Sequence, residues 1–384
     1  MSDKVLPGSF VFVVMILLVV ETVAQQWHLS RPIPGKKEAE HIVVSDVSYI
    51  PNDTLKADFY LPVNYKNQKN PALIFIDGFG GDFRKWDHYT GWAKIAAHEG
   101  FIGIVYSSRQ NCIGQSFGKL LDFMFNTRDT FFTDLKRISV YAGSGNVKLG
   151  LPLANADKRI RAALMYYGVA SMESFRIDLP VLLVRAGLDN AQLNKEMDSL
   201  ALKALMANAP YTITNLNTSL HAFEDFPDDE ISLPFVKASL NFLKDNMRDQ
   251  AQENFSKHEQ EVIGMRELYH SNWKAAFDAY EKVLKISPGN NEAERQAGNI
   301  CIEMKEYKKA LGYYDSALVH GNWRRGEIAL KRLYANMKLN NVDAAVTEMR
   351  ILRKVGWFKE ADYKGKDEYL NILRSETYRN FISE

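Results

Sequence analysis

Six short runs of apolar and β-branched residues punctuate the chain between residues 41 and 247: ALIFID (72–77), IGIVYS (102–107), RISVYA (137–142), RAALMYYG (161–168), PVLLVRAG (180–187) and YTITNLN (211–217). Helix-like segments separate them. Strand and helix signals in alternation call for a mostly parallel sheet covered by helices, because parallel neighbours need crossover connections. Runs this continuously apolar predict strands buried on both faces. The expected fold class is therefore α/β over residues 41–247.

Beyond this region the pattern changes. Residues 246–260, NMRDQAQENFSKHEQ, are polar and charged without Pro or Gly, and read as a helical or solvated connector at a domain boundary. A repeat with a period of 34 residues follows: Gly264, Trp273, Ala276, Tyr280, Val283 and Pro288 recur as Gly298, Tyr307, Ala310, Tyr314, Ala317 and Asn322. Small residues let antiparallel helices approach, and the aromatic residues fill the space between pairs. The period and the small/aromatic pattern over residues 257–322 resemble the tetratricopeptide repeat. A weaker copy with Val342, Ala345, Met349 and Leu352 is shifted by one residue, and DEYLNILRSETYRNFISE resembles a capping tail. An all-α repeat domain over 257–384 is expected, and the resemblance implies a protein partner.

The amino terminus carries Lys4, an unbroken apolar run from Phe10 to Val20, and small residues at Thr22 and Ala24. A membrane span needs roughly 20 apolar residues, so this shorter run reads as a signal peptide over residues 1–24, cleaved after Ala24. Export to the periplasm or the medium is expected, with membrane attachment only if the segment is not cleaved. Positive and negative side chains balance, 48 Lys and Arg against 47 Asp and Glu, which argues against a nucleic-acid partner. Cys112 and Cys301 are too distant to make a disulfide framework and are expected as two separately buried thiols.

The stretch RISVYAGSGNVKLG (137–150) turns a strand into a helix through Ala142-Gly143-Ser144-Gly145-Asn146. A serine exposed on a strand-to-helix turn needs small neighbours, because its backbone is strained and the chain folds back closely. Asn146 stands where that pentapeptide usually has Gly, and must take a left-handed conformation or crowd the turn. An activated serine also needs an imidazole and an orienting carboxylate, in the chain order Ser, Asp or Glu, His. PVLLVRAGLDN places Asp189 at the carboxyl end of a strand, and YTITNLNTSLHAFED places His221 after the next. All three lie where open parallel sheets place their ligands. Among the eight histidines, His28 and His41 precede the sheet and His258, His270 and His320 lie in the helical region; His88 and His98 read as surface or core residues. Asp178 precedes its strand, at the wrong end of the sheet, and Asp225 reads as loop solvation.

With these stretches in place, residues 41–247 resemble an α/β-hydrolase of the dienelactone hydrolase type, carried by the turn around Ser144, by PVLLVRAGLDN and by HAF. The resemblance implies a catalytic triad of Ser144, Asp189 and His221. It implies an oxyanion hole from the N–H of Gly145 and one of the loop Asp77-Gly78-Phe79-Gly80-Gly81, with Phe79 or Gly80 the donor. Asp77 is a departure, since a carboxylate beside an oxyanion opposes it unless held by backbone N–H groups. Strict dienelactone hydrolases carry Cys at the turn, so that substrate is not implied.

Asp189 follows Ser144 by only 45 positions, which leaves no room for a cap domain there. The expected function is an exported serine hydrolase acting on a small-molecule carboxylic ester or related acyl bond. The alternative is an inactive hydrolase-fold scaffold whose repeats bind a protein. No cofactor is expected: Gly143 and Gly145 lack the third glycine of a dinucleotide loop, and no His or Cys cluster has metal-ligand spacing.

Overall fold

The computed structural model describes residues 40–225 and 232–383; the expected signal peptide lies outside them. The chain divides into two compact units, the first ending at Gln252 and the second beginning at Glu253. The polar stretch expected as a connector spans the junction of one helix ending at Asn246 and another running Asp249–Tyr269, with a break at Met247 and Arg248.

In the first unit eight strands form one sheet: β1 (Ile42–Ser48), β2 (Lys56–Leu61), β3 (Asn70–Phe75), β4 (Ile102–Tyr106), β5 (Thr133–Gly143), β6 (Ile160–Tyr166), β7 (Val181–Ala186) and β8 (Tyr211–Leu216). Their order is β1-β2-β4-β3-β5-β6-β7-β8. β1 and β2 are antiparallel additions at one edge, and the six strands from β4 to β8 are mutually parallel. These six are the apolar runs of the sequence. β1 and β2 gave no such run; β1 is an edge strand and is mostly exposed.

Side-chain alternation splits each central strand between two cores. On one face Ile74, Ile104, Val140, Met165 and Leu183 meet α2 (Ile113–Asn126), α3 (Val147–Ala156) and α4 (Ala191–Met206). On the other, Phe75, Val105, Tyr141, Leu164 and Val184 meet α1 (Asp87–His98) and α5 (Ser232–Asn246). Burial on both faces holds from β3 to β7 but not for β8, whose residues are exposed or half-buried because it closes the sheet. Cys301 is buried as expected, and burial pushes its thiol up to about 11; Cys112 is exposed, correcting the expectation of two buried thiols.

The second unit is helical. After α6 (Asp249–Tyr269), the helices α7 (Trp273–Ile286), α8 (Asn291–Glu303), α9 (Tyr307–Val319), α10 (Arg325–Lys338) and α11 (Val342–Lys354) follow at the spacing of the sequence repeat. The repeated small residues meet the repeated rings: a Cβ on Gly264 would lie 2.7 Å from the Tyr280 ring, and one on Gly298 2.7 Å from Tyr314. Short helices α12 (Leu370–Leu373) and α13 (Glu376–Ser383) bring Ile372, Tyr378 and Phe381 against Val346, Met349 and Leu352. The repeat therefore encodes a run of antiparallel helices packed through a small-to-aromatic seam.

Candidate active site

Ser144 begins the single turn that joins β5 to α3, and its φ is +55°. A side chain rarely adopts this left-handed conformation, so the turn is strained where the hydroxyl is presented. The close approach it requires is met by Gly168 after β6, where a Cβ would lie 2.2 Å from the Ser144 carbonyl oxygen. Asp189 follows β7, and Asn190 caps α4 immediately after it, its side chain accepting the N–H groups of Gln192 and Leu193. The start of that helix also engages the acid, because the Asn190 N–H donates to Asp189 Oδ1 at 2.6 Å. His221 stands in the turn after β8.

These three residues, distant in sequence, converge. His221 Nε2 lies 2.8 Å from Ser144 Oγ, and His221 Nδ1 lies 2.6 Å from Asp189 Oδ2. Asp189 is 6% exposed and His221 25%, so the acid is sheltered while the base can still reach a substrate. A carboxylate on one imidazole nitrogen and a hydroxyl on the other can pass a proton from serine to histidine during attack on a carbonyl.

Asn146 does neither of the things its size suggested. It takes ordinary right-handed helical angles, φ −70° and ψ −23°. Its side chain leaves the turn for the loop after β3: Oδ1 accepts the Gly78 N–H at 2.8 Å and Nδ2 donates to the Tyr89 hydroxyl at 2.9 Å. Asn146 thus ties the Ser144 turn to the facing loop.

That loop differs from the expected oxyanion arrangement. The Phe79 N–H donates to Asp77 Oδ1 at 3.0 Å, so this expected donor faces its own loop. Gly80, the other, also directs its N–H toward Asp77, and its φ of +76° lets the chain press against Gln110. Asp77 is buried, and burial raises its carboxyl above the ordinary value despite these backbone bonds, which reduces its opposition to a nearby negative charge. The phenyl ring of Phe79 lies over Gly145, where a Cβ would be 2.8 Å from it. Just beyond the loop, Arg84 bonds Asp46, Asp58 and Asp82.

Asp225, read from the sequence as loop solvation, and its neighbour Glu224 prove to be buried. Asp225 is 8% exposed and its Oδ1 lies 2.7 Å from His88 Nδ1. Glu224, 4% exposed, accepts hydrogen bonds from the hydroxyls of Tyr141 and Tyr167. The sequence signal was the pair of acidic residues directly after HAF, but its partners come from β5, the end of β6 and α1, which nothing local connects. Asp178 is held by Arg176 and Lys158 before β7, away from the triad residues. Among the described residues no group of three His, Cys, Asp or Glu could hold a metal ion, and no helix is long and apolar enough to cross a membrane.

No protein-family model and no curated protein matches the chain. Among solved structures, esterase B from Lactobacillus rhamnosis is similar at 12% identity and a TM-score of 0.50, covering 64% of this chain and 98% of that one. The same enzyme in a structure with a tributyrin phosphonate aligns at 11% identity and 0.51, covering 66% and 99%. A candidate dienelactone hydrolase from Klebsiella pneumoniae aligns at 18% identity and 0.42, covering 53% and 98%. Strand order, crossovers and this similarity to esterase B give the first unit the α/β-hydrolase fold.

Proposed function

We propose that this chain is a serine hydrolase that cleaves a carboxylic ester or a related acyl bond. The observation that carries the reading is the unbroken contact from Asp189 through His221 to Ser144, at 2.6 and 2.8 Å. In the proposed reaction His221 Nε2 takes the Ser144 proton as Oγ attacks the ester carbonyl. Asp189 stabilises the imidazolium, and the Gly145 N–H binds the oxyanion. Collapse expels the alcohol, which receives the proton from His221, and leaves an acyl-serine. Water, deprotonated by His221, then releases the acid and restores the serine. We also read the amino-terminal segment as a signal for export, and the second unit as a tetratricopeptide-like array that binds a protein.

A second reading, an inactive scaffold, is favoured by one observation. The amides of Gly78 and Phe79 are bonded to Asn146 and Asp77 rather than turned toward an oxyanion. Labelling with a fluorophosphonate separates the two. Covalent modification of the wild-type protein that disappears in both Ser144→Ala and His221→Ala is the result expected of the enzyme. A folded wild-type protein that stays unlabelled would establish the scaffold.

A further inference from the structure

The base belongs to the segment His221-Ala222-Phe223-Glu224-Asp225, which carries two adjacent buried carboxyl groups. Buried carboxyls are costly where they are not fully engaged, as at Glu224 Oε2, which has no partner among the described residues, and apolar residues could anchor a loop at lower cost. Their placement here is specific. Glu224 Oε1 accepts from the Tyr141 hydroxyl at 2.8 Å and from the Tyr167 hydroxyl at 2.5 Å. Asp225 Oδ1 meets His88 Nδ1 at 2.7 Å, and His88 Nε2 lies 3.1 Å from the same Tyr141 hydroxyl. These two carboxyls thus bind the segment that carries His221 to α1, to β5 and to the residue after β6.

Both tyrosines also touch the reacting groups' supports. The Tyr167 ring centroid is 4.6 Å from that of His221, and Tyr167 itself adopts a φ of +32°. A Cβ on Gly143, the residue before the nucleophile, would lie 2.7 Å from the Tyr141 oxygen and 3.3 Å from that of Tyr167. The two hydroxyls therefore form a floor under the turn that carries Ser144, while Glu224 joins that floor to the loop that carries His221.

We propose that Glu224, with Asp225, is a positioning residue for the catalytic base: through Tyr167 and Tyr141 it fixes the His221 ring relative to the Ser144 turn. The inference rests on the serine-hydrolase reading. A misplacement of about 1 Å in a reacting group can cost roughly 100-fold in rate, and the clamp acts on that coordinate, not on substrate binding.

The test measures hydrolysis of p-nitrophenyl acetate by the full-length protein, with kcat expressed per phosphonate-titrated serine so that misfolded protein does not count. Glu224→Ala is expected to lower kcat about 10- to 100-fold with KM changed less than about 2-fold. Glu224→Gln keeps an acceptor oxygen for both tyrosines and is expected to recover most of the loss. Tyr167→Phe, which removes one hydroxyl and keeps the ring, serves if the alanine variant does not fold, with an expected loss of about 3- to 10-fold. A full wild-type kcat per titrated serine in Glu224→Ala and Tyr167→Phe would overturn the proposal, as would equal losses in the alanine and glutamine variants. If the wild-type protein neither labels nor hydrolyses the ester, the enzymatic reading has failed on its own. The clamp is then read from the His221 imidazole NMR signals, assigned with His221→Gln. Signals displaced in Glu224→Ala and restored in Glu224→Gln would support it, and signals unmoved in both would overturn it.

Discussion

Replacing Ser144 by glycine rather than alanine isolates what the sharp turn costs. Both variants lose the hydroxyl and its contact with His221, so their difference reports only on the backbone. A Cβ at φ +55° carries a penalty of roughly 1–2 kcal/mol. Glycine escapes it but gives up about 0.4–1 kcal/mol through the greater freedom of its unfolded chain. The structure therefore predicts Ser144→Gly to be more stable than Ser144→Ala by about 0.5–1 kcal/mol. For a unit of this size that corresponds to about 1–4 °C in Tm. The assay is thermal unfolding of both variants followed by near-ultraviolet circular dichroism, with fluorophosphonate labelling absent from each. An alanine variant as stable as the glycine variant, or more so, would refute the reasoning, because it would mean that residue 144 bears no strain.

Further expectations follow from particular contacts. Asn146→Ala removes hydrogen bonds of 2.8 and 2.9 Å, each worth about 1 kcal/mol. The first unit should melt about 4–8 °C lower and the phosphonate should react more slowly; an unchanged Tm and rate would contradict the role given to this residue. In the second unit, Gly298→Val sets branched carbon against the fully buried Tyr314 ring. It should cost roughly 3 kcal/mol, seen as early loss of helical signal; a melting profile like that of the wild type would argue against the tight seam. Stability should also fall as pH rises. Burial works against protonation of His88, but Asp225 and Glu224 outweigh it and raise the imidazole above its ordinary value of 6.5; burial first, then Asp225, raises Glu224 above 4.5, against the pull of His88. Each group then holds its proton more tightly when folded, so its contribution is complete below the unfolded value and is lost as pH climbs above it. Urea midpoints measured from pH 6 to 9 should decline less steeply in His88→Gln and in Glu224→Gln; identical slopes would contradict this.

The parallel block was legible because its strands are buried on both faces, and two-sided burial leaves a continuous apolar run in the sequence. β1 left no such run because one of its edges and much of its surface face solvent, and β8 showed its apolar character despite the exposure that comes with closing the sheet. The helical unit was legible as a period, since Gly298 and Tyr314 repeat what Gly264 and Tyr280 do one turn of the pattern earlier. Ser144, Asp189 and His221 could be nominated because each follows a strand, and the carboxyl ends of parallel strands gather at one edge of the sheet.

What residue order along the chain does not encode is which polar groups meet once the loops fold back. Asn146 looked like an obstruction at the turn and is a tether, because Gly78 and Tyr89 come within reach only after β3 and β5 pair. Phe79 looked like an oxyanion donor, yet its N–H turns to Asp77 when burial leaves that carboxyl in need of partners. Asp225 looked like a solvated loop residue; it is buried against His88, and Glu224 beside it is buried against Tyr141 and Tyr167. Apolar periodicity is a local property that one strand or helix displays by itself, whereas a hydrogen bond in the interior needs two groups from distant segments, and only the assembled sheet decides which two they are.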